Sequence, residues 1–283
     1  MSLNPDCIPC ILKQALYAAR KAKINDEKLQ IEILKYVIKE LNNIDNIETA
    51  PELSIKIQDI VKVFSGINDP YAEEKEKNLK RASKFVPYLK TYINNSYDKL
   101  EQAVRVAILG NIIDLGANPD FNLEDEIKRI NSNNIVLDDY PLFKERAKNA
   151  KYILYIGDNA EEAIFDKLLI GQLQCKNIIF VVRDDYILND VTIDFAKKIG
   201  LNKIAEVISS GSRAAGINLK ETNKIFNEYF FNAPVIIAKG QGNFETLENC
   251  GREIFYMFKV KCEVIAKRTG YKIGTSVLLK SSK

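Results

Sequence analysis

Five short apolar runs, at 152–156, 178–182, 204–208, 235–238 and 254–258, set the strongest limit on how this chain folds. Segments of helical length, such as 161–173 and 191–199, separate most of them. A run that is apolar on every residue is a strand covered on both faces, and parallel strands need a crossover between them. Apolar runs alternating with helices therefore predict a largely parallel sheet with helices on both sides. The expected class is α/β: a Rossmann-like three-layer α/β unit with a helical N-terminal domain.

The first ~130 residues carry helical periodicity instead. Residues 7–22 form one candidate helix and 26–41 another, in which Leu29, Ile33, Val37 and Leu41 recur every four residues. Thr49-Ala-Pro-Glu52 has capping-box spacing and opens a third helix toward Phe64. Asp69-Pro70 sets a capping carboxylate before a proline and starts a helix through 71–82, which Pro87 is expected to bend or break. A further helix spans 99–115 and ends near Gly116. The helical region is taken as 1–132 and the α/β region as 133–283, with the Asn-rich stretch 131–134 as a loop between them.

Charge and cysteine usage narrow the partners. The net charge is +3, from 41 basic and 38 acidic residues well mixed along the chain. Such a balance makes no strong field for a polyanion, so no nucleic-acid partner is expected. No apolar stretch reaches the ~18–20 residues that span a bilayer, and residues 1–10 lack a signal pattern. No membrane association and a cytoplasmic location are the expectation. Cys7, Cys10, Cys175, Cys250 and Cys262 are odd in number and scattered, and are expected to be reduced. A zinc ribbon is not expected at Cys7 and Cys10, which lack a second pair. A redox pair, a minor metal site with Cys262 and simple packing stay open, with packing the expectation because free cysteine is among the most buried residue types.

The chain contains no histidine. That excludes Ser-His-Asp and Cys-His catalytic units and any imidazole metal ligand. Hydrolytic chemistry here has to run on carboxylates, Lys, Tyr, Cys, or a cation held by oxygen.

In open parallel sheets, ligands bind beyond the carboxyl ends of the strands. Gly157-Asp158-Asn159-Ala160 follows the first apolar run, and Arg183-Asp184-Asp185 with Leu188-Asn189-Asp190-Val191-Thr192 follows the second. Ser209-Ser210-Gly211-Ser212 follows the third, and Lys239-Gly240-Gln241-Gly242-Asn243-Phe244-Glu245 the fourth. Carboxylate and amide oxygens are hard ligands that suit Mg²⁺ or Mn²⁺. Lys239 can pair with a phosphate as a point charge. Gly240, Gly242 and the Gly211-Ser212 turn let backbone N–H groups approach an anion. Each segment alone also has a purely structural reading. Asp158-Asn159 and Asn189-Asp190 are good helix caps, Gly240 and Gly242 good turn residues, and Lys239 an ordinary surface lysine. Convergence of the four loops on one edge is what favours a site.

These same loops, with Phe165-Asp166-Lys167-Leu168-Leu169, Cys7-Ile-Pro-Cys10, Asp69-Pro70-Tyr71, Gly110-Asn111-Ile112-Ile113-Asp114 and Lys261-Cys262, resemble the damage-control phosphatase family, most closely its stand-alone archaeal branch. The resemblance runs nearly end to end, and its Lys239–Glu245 block is specific. It implies a phosphatase acting on small phosphorylated metabolites such as damaged or surplus sugar phosphates. It also implies a divalent cation (Mn²⁺, Mg²⁺, Co²⁺ or Ni²⁺) held by Asp158, Asn159 and Asp190. Lys239 and Asn111 carry over as phosphate or substrate contacts. The family has glycine after Asp-Asn-Ala, where this chain has Glu161, which is expected to alter the pocket. Arg213 is a second departure, with a contact to anionic substrate as its expected role.

For the reaction itself, attack by a positioned water and attack by Asp158 both stay open. The alternatives are a Rossmann-type methyltransferase, against which the Gly157 loop lacks G-x-G-x-x-G, and a non-catalytic metabolite-binding protein. The oligomeric state is not encoded in any motif.

Overall fold

The computed structural model describes residues 3–42, 44, 47, 49–110 and 134–281. The expectations for Asn111, for a helix end near Gly116 and for the loop at 131–133 lie outside these residues.

Helices α1 (Cys7–Lys21), α2 (Glu27–Leu41) and α3 (Ala50–Ser65) share an apolar cluster of their own, centred on Ala15, Ala18, Ile33, Val37, Leu53 and Ile57. The capping box at the start of α3 forms as expected. Glu52 N–H donates to Thr49 Oγ1 at 3.4 Å, and Thr49 N–H to Glu52 Oε2 at 3.0 Å. Helices α4 (Ala72–Asn94) and α5 (Lys99–Gly110) follow. Asp69 prepares α4 by accepting from Tyr71 N–H at 3.1 Å and by pairing with the buried Lys75 ammonium at 2.6 Å.

Of the two sequence expectations for Pro87, a break in α4 does not occur, and the helix continues for seven residues beyond it. A helix-interior proline costs about 3 kcal/mol through one lost hydrogen bond and a ring clash. Leu89 and Ile93 are each 1% exposed, and burying each contributes about 1.5–3 kcal/mol. Packing offsets the proline.

The remaining elements alternate: β1 (Ile135–Val136), α6 (Tyr140–Asn149), β2 (Ile153–Ile156), α7 (Ala163–Ile170), β3 (Ile178–Val182), α8 (Ile193–Lys198), β4 (Glu206–Ser209), α9 (Lys224–Asn232), β5 (Val235–Lys239), α10 (Gln241–Leu247), β6 (Phe255–Lys259), α11 (Glu263–Thr269) and β7 (Ser276–Lys280). The strands form one sheet in the order β1-β7-β6-β5-β2-β3-β4. Every pairing is parallel except β6 with β7. The strand expected at 204–208 starts only at Glu206 and runs to Ser209, after a 3-10 turn at Leu201–Lys203. Neither β1 nor the antiparallel β7 was expected from the sequence.

Alternation along the strands builds two cores. Tyr155, Phe180 and Ile237 face α4 to α8. Leu154, Val181 and Ile236 face α9 to α11. The three-layer α/β architecture is the one the apolar runs predicted. Strand order reverses between β2 and β5, because the chain leaves β2 toward β3 and β4 and returns to the opposite side for β5. A crevice opens at such a switch point.

Candidate metal and phosphate site

A short backbone strap brings the predicted cation ligands together. Val191 N–H donates to Asp158 O at 2.8 Å and Ala160 N–H to Asn189 O at 2.8 Å. These bonds pair Asn159 with Asp190 as an isolated antiparallel bridge beyond the ends of β2 and β3. The strap needs a sharp bend before it, and Leu188 takes the left-handed conformation there, at φ +45°. Asp158, Asn159 and Asp190 then line one cleft of about 1080 Å³. Their side chains are not helix caps. Helix α7 starts only at Ala163, and Thr192 occupies the N-cap of α8; neither helix has a side-chain cap bond.

Electrostatics at the strap favour a cation. Asp190 is 3% exposed and accepts from Arg183 Nε at 2.7 Å. The same guanidinium lies 3.8 Å from Asp158 Oδ1. Burial pushes the Asp190 carboxyl above its usual range, Arg183 opposes that, and the neighbouring Asp158 charge adds to it. Two carboxylates thus share one buried guanidinium, an arrangement one positive charge short of neutral. Glu162 reinforces the pattern. Its buried carboxyl is pushed up to about 8, with Lys239 opposing and Asp158 adding. Glu162 also accepts the Asn159 amide N–H, which turns Asn159 Oδ1 away from that bond. Among the described residues no group of three or more His, Cys, Asp or Glu is arranged to hold a metal ion. A cation here would have two carboxylates and an amide oxygen as ligands, with positions left for water and substrate. This hard oxygen set fits Mg²⁺ or Mn²⁺ better than softer metals.

The structure places the Lys239 ammonium beneath the cleft, not at the crevice where the sequence reading put it. The side chain is 0% exposed, and Nζ donates to Asp166 Oδ1 at 2.7 Å and to Ala107 O at 2.8 Å. Asp166 also accepts from Tyr155 Oη at 2.7 Å. A charged amine at the end of a strand covered on both faces is desolvated, and it finds the carboxylate that α7 presents to the same core.

Gly240 and Gly242 are held in close packing, and the N–H groups of Gly240 and Gly211 are already taken. Gly240 spends its N–H on Met257 O at 3.0 Å. Its φ is +79°, and a Cβ there would fall 2.0 Å from Asp158 Oδ2. A Cβ on Gly242 would lie 1.9 Å from Ala215 O. Gly211 N–H is taken by Ser209 Oγ, and Ser212 Oγ accepts from Ala214 and Asn218 N–H, so this turn organises its own loop. Arg213 pairs with Asp59 and Asp185. Gly211, Ser212 and Arg213 are not among the residues lining the cleft.

Cys7, Cys10 and Cys262 all line the cleft, with Cys10 exposed and the other two half-buried. Packing as small buried hydrophobes therefore does not describe Cys10. Sequence reading gave no role to Glu162, Arg183, Asp166 or Asn78. The first three carried a legible signal, since Glu162 stands three residues after Asn159, Arg183 directly follows a strand, and Asp166 lies within a quoted motif.

Comparison with known proteins gives the family. Residues 3–277 match the damage-control phosphatase ARMT1-like domain. A damage-control phosphatase of Pyrococcus horikoshii is 33% identical, covering 99% of both chains. One of Archaeoglobus fulgidus is 31% identical, covering 98% of both. The crystal structure of a DUF89 family protein from Pyrococcus horikoshii superposes over 100% of both chains with a TM-score of 0.89 at 31% identity. With the match running through the strap, the buried lysine and the cleft, the chain belongs to the ARMT1-like damage-control phosphatase family.

Proposed function

We propose that this protein is a divalent-metal-dependent phosphatase that hydrolyses small phosphate monoesters. The observation that carries the reading is the strap, which brings together Asp158, Asn159 and Asp190, with Arg183 against both carboxylates, at the switch point of a largely parallel sheet. In this reading those three side chains hold the cation, with Mn²⁺, Mg²⁺, Co²⁺ and Ni²⁺ as candidates. When bound, such a cation neutralises charge developing on phosphoryl oxygens and orients a nucleophile. Arg183 fixes the Asp190 carboxylate, and Glu162 fixes the Asn159 amide. Lys239 contributes its charge from beneath, near Glu162, Asp166 and Asp158. A methyltransferase is disfavoured, because the family matched over residues 3–277 and the relatives from Pyrococcus horikoshii and Archaeoglobus fulgidus are named as phosphatases. Five cysteines with no disulfide fit a reducing, cytoplasmic setting, and no helix among the described residues is long and apolar enough to cross a membrane.

The test is phosphate release from a panel of phosphometabolites with each of the four cations and with chelator. Release that requires a cation and falls away in Asp158→Asn supports the reading. Binding of the panel without release under any cation would replace it with a non-catalytic one.

A further inference from the structure

Glu161 is a cleft carboxylate to which the phosphatase reading gives no role. It is 7% exposed and lines the cleft beside Asp158 and Asp190. Its Oε1 accepts from Asn189 Nδ2 at 2.9 Å and from Asn78 Nδ2 at 3.3 Å. Its Oε2 has no hydrogen-bond partner among the described residues. Neither has Oδ1 of Asn78, a residue on α4 that is 3% exposed and lines the same cleft. No lysine or arginine among the described residues reaches Glu161. Glu74, another carboxylate and itself paired with Lys21, adds to the effect of burial on it. A buried carboxylate with amide donors but no cation carries an uncompensated desolvation cost. Around the cleft as a whole, carboxylates outnumber the two basic residues, Lys259 and Lys261.

We propose that Glu161 and Asn78 form a subsite for a protonated amine of the substrate, so that the favoured substrates are phosphate monoesters bearing an amino group. The proposal rests on the phosphatase reading and adds the substrate class. An ammonium offers three N–H donors and one positive charge, matching two unpartnered acceptors of which one is a carboxylate. A hydroxyl supplies a donor but leaves the charge uncompensated. A second Mg²⁺ or Mn²⁺ needs about six oxygen ligands, against the two unpartnered oxygens offered here.

The experiment compares matched pairs with Mn²⁺: glucosamine 6-phosphate against glucose 6-phosphate, and phosphoethanolamine against ethylene glycol monophosphate. In at least one pair the amine is expected to show kcat/KM about ten-fold higher or more, carried by KM, as for a hydrogen bond to a charged group. Glu161→Gln puts an N–H donor in place of one carboxylate oxygen and is expected to bring that ratio to about one. Asn78→Leu is expected to lower it in the same direction, and it stands in if Glu161→Gln does not fold. Calorimetry with the same four compounds separates the two levels of the argument. If p-nitrophenyl phosphate and every pair go unhydrolysed while the amines still bind selectively, the phosphatase reading falls and the subsite stands. Equal kcat/KM and equal Kd within both pairs overturn the subsite, as does a preference that survives both variants. Two Mn²⁺ ions per wild-type chain and one per Glu161→Gln chain would also overturn it, by making Glu161 a metal ligand.

Discussion

Replacing Lys239 with Met tests whether this lysine is a buried structural charge or a clamp in the cleft. Lys239 and Asp166 are 0% and 1% exposed and 2.7 Å apart. Removing one partner of such a pair costs about 3–5 kcal/mol, because the other charge stays buried. At about 2–4 °C per kcal/mol for a chain somewhat smaller than this one, the unfolding midpoint should fall by roughly 6–20 °C. Ala107 O loses its donor as well, whereas Asp166 keeps Tyr155. The loss should depend on pH. Burial already raises the Asp166 carboxyl, and Lys239 is the strongest influence opposing that rise. Without the ammonium, Asp166 binds its proton more tightly in the folded chain than in the unfolded one. Stability then falls as pH rises from the ordinary carboxylate range toward the raised folded value. The deficit of the variant should therefore be larger at pH 8 than at pH 5. Adding Asp166→Asn removes the stranded charge and should recover most of the loss at pH 8. The assay is urea and thermal unfolding at both pH values, paired with Mn²⁺-dependent phosphate release. A single variant within about 1 kcal/mol of wild type at pH 8, yet inactive, would refute the buried pair and return Lys239 to the cleft.

Asp158→Asn and Asp190→Asn should each lose most phosphate release and most of the thermal stabilisation by Mn²⁺; metal-free stability should hold or rise in Asp158→Asn as repulsion between the carboxylates is relieved, and fall in Asp190→Asn because the buried Arg183 guanidinium loses its 2.7 Å partner; wild-type Mn²⁺ shifts in both would exclude them as ligands. Gly240→Ala, whose Cβ would lie 2.0 Å from Asp158 Oδ2, should fold less stably and bind Mn²⁺ more weakly, which calorimetry and thermal unfolding would read. Burial raises the Glu162 carboxyl to about 8 and raises Asp190 too. Both bind protons more tightly when folded, so metal-free stability should fall as pH rises toward 8. Mn²⁺ competes with those protons, so its stabilising shift should be larger at pH 8 than at pH 6; a shift that shrinks with pH would contradict this.

The apolar runs and the helix-length segments between them were enough to determine a largely parallel sheet and its layers, though not β1 or the antiparallel β7, because a strand covered on both faces shows as a continuous apolar run. The absence of histidine was likewise enough to direct attention to carboxylates. The Thr49–Glu52 capping box was legible because all its partners lie within one turn. What the tertiary structure decided depended on distant segments meeting. No local pattern says that Val191 bonds to Asp158, yet that bond converts two good capping sequences into one strap. The fate of Pro87 turned on Leu89 and Ile93 reaching a core formed with the sheet. The role of Lys239 turned on Asp166, 73 residues away in the chain, coming within hydrogen-bonding distance inside the core. Glu161 read as a substitution of unknown effect until Asn78 and Asn189 were seen to hold one of its oxygens and leave the other without a partner. Residue types and their spacing determine which groups a chain can offer at a strand end. Which of those groups face the cleft and which are spent inside it is decided by desolvation and pairing, and these exist only once the layers have closed.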